Sequence, residues 1–137
     1  MGAMERLPTS SPTMKYTFAL ANLAAAQTGI AVPIQGGVID TFVMPKGGYI
    51  VGYAVNKSAA TSAGATAIDI TVAGTSTKTV NIGTASTTKF YAVLPVPDEP
   101  FSAGDLLGVT YTTDADHAPT TQDIVVDVFV EFRDFTF

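Results

Sequence analysis

The sequence predicts an all-β protein made of two packed antiparallel sheets. Apolar and polar residues alternate along several short stretches, most clearly from Ile124 to Arg133, and a period of two is typical of half-buried strands. About eight or nine such stretches recur roughly every ten residues, separated by turns rich in Gly, Pro, Asp and Ser. We therefore expect a β-sandwich and favour a jelly roll, with an immunoglobulin-like sandwich and a barrel as alternatives.

The length of 137 residues is sufficient for one domain with a single core. We place this domain at residues 14–137 and predict an extended arm at residues 1–13, because Pro8 and Pro12 prevent a regular ladder or helix there. Residues 1–3 are open to two interpretations, native sequence or an addition before a native Met4.

The amino-acid composition argues against nucleic acid and membranes as partners and favours other protein chains. The net charge is -5 and the seven basic residues are scattered, whereas a nucleic-acid surface needs clustered Lys and Arg. No apolar run approaches the roughly 18 residues of a membrane helix. The chain has no cysteine, which excludes disulfides and thiolate metal sites. Because apolar residues are abundant and charged residues are few, we expect part of the surface to be buried against other chains.

The first half of the chain predicts a strand from Met14 to Leu20 and then an alanine-rich segment, 22–28, which we interpret as extended. Val38 to Met44 and Tyr49 to Asn56 predict a hairpin around the turn at 45–48. The small residues from Lys57 to Thr66 predict a flexible loop at the rim of the domain.

The second half predicts five further strands, and the last of them, with five apolar residues on one face, should be central in its sheet. A turn at Gly74–Ser76 is expected between the first two, and Pro95 and Pro97 are expected to end the third. The predicted strands are Ile68–Val72, Val80–Ile82, Phe90–Leu94, Leu106–Thr113 and Ile124–Arg133.

One acidic loop contains the best candidates for a site. The carboxylate oxygens of Asp114, Asp116 and Asp123 are ligands of the type that calcium binds. The loop, however, lacks the central Gly and the final Glu of a calcium-binding loop. We therefore favour the interpretation that these aspartates form turns and cap backbone N–H groups. His117 is the only histidine, and no serine lies in a nucleophile elbow, so we interpret it as a solvated loop residue. We expect no enzyme activity, no cofactor and no metal.

Two further features have a binding and a structural interpretation. Tyr49 and Tyr53 fall on one face of a predicted strand, together with Val51 and Val55. Aromatic rings on a strand face can bind sugars by stacking, but more often they belong to the core. The adjacent carboxylates Asp98–Glu99 point apart on an extended chain and are interpreted as a solvated turn.

The arm and the apolar end of the sequence are the candidate contact segments. The proline-bearing arm has the composition to dock on a neighbour, and two phenylalanines near the end must pack against the body or against a partner subunit. The predicted partner contacts are Leu7, Pro8, Pro12, Phe135 and Phe137.

Over residues 14–133 the chain resembles the small all-β decoration, or cement, proteins of tailed-phage capsids. The resemblance is carried by Pro45-Lys46-Gly47-Gly48-Tyr49-Ile50, by Phe101-Ser102-Ala103-Gly104-Asp105 and by Ala118-Pro119-Thr120-Thr121-Gln122-Asp123-Ile124.

The resemblance implies a jelly-roll-like domain, commonly a homotrimer, that sits on the outer capsid surface of the virion and clamps neighbouring subunits of the major capsid protein. The family supplies no catalytic residues. Phage head fibres, tail components and receptor-binding tips have similar sequence character and remain alternatives, as does a carbohydrate-binding β-sandwich module. A cupin-like enzyme is the weakest alternative, because it needs a His-rich metal site.

Overall fold

The computed structural model describes residues 13–35, 37, 39–81, 89–93 and 100–133. All regular elements in these ranges are strands, and no helix there is long and apolar enough to cross a membrane. The ten strands are β1 (Thr13–Leu20), β2 (Ile30–Ala31), β3 (Thr41–Val43), β4 (Gly48–Lys57), β5 (Thr66–Val72), β6 (Thr75–Asn81), β7 (Lys89–Val93), β8 (Pro100–Phe101), β9 (Leu106–Thr113) and β10 (Ile124–Phe132).

The strands form two antiparallel sheets. Sheet A has the order β1-β10-β4-β7, and β8 pairs with β4 beyond the end of β7. Sheet B has the order β2-β9-β5-β6, and β3 pairs with β9 further along the same edge. The short strands β2 and β3 share one position in sheet B, and β7 and β8 share one position in sheet A. Each sheet of the described chain therefore has four strand positions. The chain crosses repeatedly from one sheet to the other. This is the jelly-roll arrangement, so the predicted fold class is confirmed.

The core lies between the sheets and follows the predicted alternation. In β9, Leu107, Val109 and Tyr111 are buried, and β10 buries its apolar face between β1 and β4, which confirms its central place. Phe42 of sheet B contacts Phe18 of sheet A edge-on, with ring centroids 5.4 Å apart. The buried hydrophobic residues in the described strands of sheet A are Phe18, Ile50, Val55, Phe101, Ile124, Val126, Val128 and Val130.

The predicted hairpin of residues 38–56 is wrong. β3 pairs with β9 in sheet B, whereas β4 pairs with β10 in sheet A. The turn at 45–48 therefore carries the chain from one sheet to the other. A hydrogen bond from the N–H of Met44 to the carbonyl of Asp105, 2.8 Å long, holds the chain just before this turn. Alternation and a turn signal cannot distinguish a hairpin from such a crossover, because both join two strands that bury one face.

Among the described strands, β5 and β6 form a hairpin within one sheet. Val72 pairs with Thr75, so the two turn residues are Ala73 and Gly74, and both have positive φ, at 52° and 82°. The turn thus lies one residue earlier than the sequence predicts, and Thr75 and Ser76 belong to β6. Positive φ at both central residues is the requirement of a type I′ turn, whose twist suits a two-residue hairpin.

The predicted flexible loop of residues 57–66 is packed rather than loose. The ammonium of Lys57 donates to the Thr61 hydroxyl at 2.9 Å, and both side chains are buried. The Gln122 side-chain amide donates to the carbonyl of Ala59 at 2.8 Å. Hydrogen bonds to the neighbouring loop therefore order a segment whose composition alone suggests flexibility.

Candidate interaction surfaces

The outer face of sheet A carries an apolar depression of about 320 Å³, which we call the sheet A patch. It lies where β10, β4 and β7 run side by side, and its most exposed member, Tyr91, has 82% of its surface accessible. Its lining residues are Val51, Gly52, Tyr53, Ala54, Tyr91, Ala92 and Phe129. Exposed aromatic and aliphatic groups grouped in this way are typical of contact surfaces.

A β-bulge shapes this patch. Phe129 pairs with Gly52, but the next residue of β10, Val130, pairs with Ile50, so Val51 is an extra residue in β4. The bulge reverses the alternation, and it places Tyr53 against the core while Tyr49 lies opposite Glu131 on the outer face. The predicted shared face of Tyr49 and Tyr53 is therefore wrong.

Tyr49 is held by charged neighbours at the start of β4. The Arg133 guanidinium lies 5.1 Å from the centre of the Tyr49 ring, a cation–π distance, and donates to the Glu131 carboxylate at 2.8 Å. Beside Tyr49 is a second depression of about 390 Å³, the end groove, which residues 47–49 and 100–103 line. It lies at the end of sheet A, where β8 pairs with β4.

A second apolar surface lies at an edge of sheet B. Val43 pairs with Leu106, and their exposed fractions are 63% and 42%. Ile39, close by in the chain, is 62% exposed. The outer face of sheet B therefore carries exposed aliphatic side chains, whereas the highly exposed aromatic ring, that of Tyr91, belongs to sheet A.

His117 is buried, with 3% of its surface accessible, so its interpretation as a solvated loop residue is wrong. Its Nδ1 atom lies 3.0 Å from the Thr66 hydroxyl. Burial lowers the pKa of His117, the charge of Asp114 opposes this change, and the charge of Lys57 adds to it. The neutral ring is thus favoured inside the loop cluster, away from solvent.

The predicted acidic loop is organised by hydrogen bonds to backbone donors. Asp114 accepts from the N–H of Ala65 at 3.0 Å and from that of Asp116 at 3.1 Å, and Asp123 accepts from the N–H of Asn22 at 3.0 Å. These contacts agree with turn formation and capping. In the described part of the chain, no three acidic, His or Cys residues are grouped to hold a metal ion.

Some predicted residues fall outside the described ranges. These are residues 1–12 of the predicted arm, whose residue Thr13 belongs to β1, the turn at Asp98–Glu99 and all five predicted partner contacts, Leu7, Pro8, Pro12, Phe135 and Phe137. Conversely, the sequence did not identify Tyr91 and Phe129 as candidate contact residues. The alternation around Phe129 nevertheless predicts that it lies on the face opposite the core.

Comparison with solved structures identifies the same class of fold. No protein-family model and no curated protein sequence matches this chain. A chain of the cyanophage Pam1 capsid asymmetric unit is similar over 97% of this chain and 94% of its own length, with a TM-score of 0.58 and 10% sequence identity. At this identity the likeness is one of fold.

A second solved structure, that of infectious bursal disease virus Gx strain, is 15% identical and matches all of this chain. This chain spans only 38% of that one, and the TM-score of 0.40 does not establish a shared fold.

Proposed function

We propose that this protein is a structural component of a bacteriophage virion. In this proposal it binds the outer surface of the capsid, stabilises contacts between subunits of the major capsid protein, and has no enzymatic activity. The observation that carries the proposal is the jelly roll, whose similarity to a chain of a cyanophage capsid extends over nearly the whole of both chains. The buried state of the only histidine also supports a role in binding rather than in acid–base catalysis.

The sheet A patch is the surface that we assign to the capsid contact. It joins one highly exposed aromatic ring, Tyr91, to the side chains of Val51 and Phe129 over a depression that a partner side chain can fill. Tyrosine is among the residues that contribute most to protein interfaces, because its ring buries a large area with few rotatable bonds. Repetition over a capsid lattice would add avidity to each modest contact.

The arm supplies a second contact in this proposal. Residues 1–12 precede β1, which is an edge strand of sheet A in the described part of the chain, so the arm is attached to the same sheet as the patch. Leu7, Pro8 and Pro12 provide apolar groups without a demand for regular structure.

A capsid-binding assay tests the proposal. Capsids purified without this protein are mixed with it and sedimented, and occupancy is measured on a gel. We expect wild-type protein to co-sediment, Tyr91→Lys to bind roughly tenfold or more weakly, and deletion of residues 1–13 to reduce occupancy with the fold intact. Val43→Lys is the matched control, since it places the same charge on the outer face of sheet B.

Failure of wild-type protein to bind capsids would refute the proposal. Loss of binding in Val43→Lys but not in Tyr91→Lys would refute the assignment of the contact to sheet A. The exposed Tyr91 ring is also the observation that favours a carbohydrate-binding module as the second candidate, and a glycan array on the same preparations distinguishes the two.

A further inference from the structure

Three buried polar side chains meet in the loop cluster, away from the surfaces described above. The exposed fractions of Lys57, Thr61 and Gln122 are 4%, 4% and 0%. The hydroxyl oxygen of Thr61 lies between the other two groups. It accepts a hydrogen bond from the Lys57 ammonium at 2.9 Å and another from the Gln122 amide nitrogen at 3.3 Å. A hydroxyl, an amine and a primary amide are thus in contact inside the protein.

The two loops that carry these groups are fixed to each other on both sides of the contact. On one side, the N–H of Ser58 donates to the carbonyl of Asp123 at 2.9 Å. On the other side, the N–H of Ser62 donates to the carbonyl of Ala118 at 2.8 Å. The side chains between these two bonds are therefore held in one arrangement, and a fixed arrangement is what accelerates a reaction within one molecule.

The distances are close to those at which a hydroxyl attacks an amide. The Gln122 amide nitrogen is anchored by a second hydrogen bond, to the carbonyl of Ala59 at 2.8 Å. The amide carbon Cδ is one bond of about 1.33 Å from this nitrogen, so it lies within about 4.6 Å of the Thr61 oxygen. Because reacting atoms approach to about 3–3.5 Å before a bond forms, a shift of about 1 Å is sufficient.

Lys57 is placed to accept the proton of the hydroxyl. Burial lowers the pKa of Lys57, so its neutral amine forms more readily than that of an exposed lysine. A neutral amine beside a hydroxyl oxygen activates it as a nucleophile. The burial of all three side chains also keeps out the water that would hydrolyse an ester.

We propose that Thr61 and Gln122 become joined by an ester bond within the chain. Oγ1 of Thr61 attacks Cδ of Gln122, and the hydroxyl proton passes to the Lys57 amine. The bond between Cδ and Nε2 then breaks, Lys57 gives the proton to Nε2, and one molecule of ammonia leaves. Lys57 ends as it began, and no further reactant is needed. The reaction occurs once in each chain, and it does not depend on the proposed virion role.

The ester gives a covalent cross-link to a chain that has no cysteine. It joins residue 61 to residue 122 and so closes a long loop. A cross-link of this kind restricts the unfolded chain in the way that a disulfide does. The two loops of the cluster are then tied by a bond that reducing conditions do not break.

Intact mass spectrometry of the denatured protein tests the proposal directly. We expect the wild type to be lighter by one ammonia than the mass calculated from its sequence. Thr61→Val removes the hydroxyl with little change of shape, and it should have its full calculated mass, as should Lys57→Met. Thr66→Val is the matched control and should keep the loss, because Thr66 is a buried threonine of the same cluster whose hydroxyl lies against His117 instead.

A wild type with its full calculated mass would overturn the proposal. Loss of ammonia from Thr61→Val would overturn the assignment of the nucleophile, and loss from Lys57→Met would overturn the role of the amine.

Peptide mapping locates the bond in the wild type and needs no variant. Trypsin cleaves after lysine and arginine, so the ester should join the peptide 58–78 to the peptide 90–133. Mild alkali should separate the two, because it hydrolyses esters faster than amides. A joined pair that contains residues 47–78 and survives alkali would show an amide bond to Lys57 and would overturn the proposal. Loss of ammonia without any joined pair would overturn it as well.

Discussion

His117 shows how strongly one residue depends on its surroundings. Its ring lies between two loops, close to the Thr66 hydroxyl, and these loops also share hydrogen bonds of Ser62 and Ala63 with Ala118. A charged ring in this position loses its hydration without gaining a carboxylate partner at hydrogen-bonding distance. We therefore expect protonation of His117 to favour opening of the loop cluster.

Stability should consequently depend on pH through this residue. Burial holds the pKa of His117 in the folded protein below its ordinary value of about 6.5, so the unfolded chain binds the proton more readily. The stability contributed by the neutral ring is complete above about pH 6.5 and is lost as the pH falls toward the folded-state pKa. We expect the Tm of wild type to fall more steeply between about pH 7 and pH 5 than that of His117→Asn.

The comparison of the two proteins removes the effect of the carboxylates, which are the same in both. Differential scanning fluorimetry at closely spaced pH values is sufficient. Parallel Tm curves for the two proteins would contradict the coupling.

The β5–β6 hairpin carries a strained residue that a substitution should relieve. Ala73 has a φ of 52°, in the left-handed region where a Cβ atom is unfavourable, whereas asparagine tolerates this region well. Ala73→Asn creates the Asn-Gly pair that type I′ turns prefer. We expect a gain of about 0.5–1 kcal/mol in the free energy of unfolding, measured by urea denaturation.

Ala73→Val provides the opposite control, because a β-branched side chain is poorly accommodated at positive φ. It should destabilise the protein. If neither variant changed the midpoint of unfolding, the turn would not have the geometry described here.

At the level of elements, the sequence predicted strands better than their partners. The alternation in β1, β9 and β10 has no competing period, and the structure confirms these strands to within one residue at either end. The bulge at Val51 was not predictable, because one extra residue reverses the faces without leaving a mark in composition. The burial of His117 and Lys57 was also missed, since His117 lies in a loop and Lys57 is a polar residue at the end of β4, and neither belongs to an apolar alternation.

The whole molecule presents little charge and much apolar surface. Its 14% of charged residues leaves broad faces without the repulsion that keeps monomers apart, and the sheet A patch is one such face. The resemblance to capsid decoration proteins implies a homotrimer, and we propose that the protein forms one in solution, held largely by apolar contacts. Light scattering should therefore give three times the chain mass of 14.2 kDa, with little change between low and high salt.

A monodisperse species with the mass of one chain would contradict the trimer. Dissociation on adding salt would contradict the apolar nature of its contacts. After either result, the sedimentation assay described above would still be needed to test whether a monomer binds capsids.

The central position of β10 has a consequence for the order in which the protein is made. β1 and β4 are synthesised early, yet each of them has β10 as its neighbour, and β10 begins more than a hundred residues after the start of β1. Until residues 124–132 have been translated, both strands expose a bare edge and an uncovered apolar face. Sheet A is therefore completed late, through contacts between residues distant in sequence, and such contacts make folding slow. We expect the nascent chain to need a chaperone while these strands are exposed.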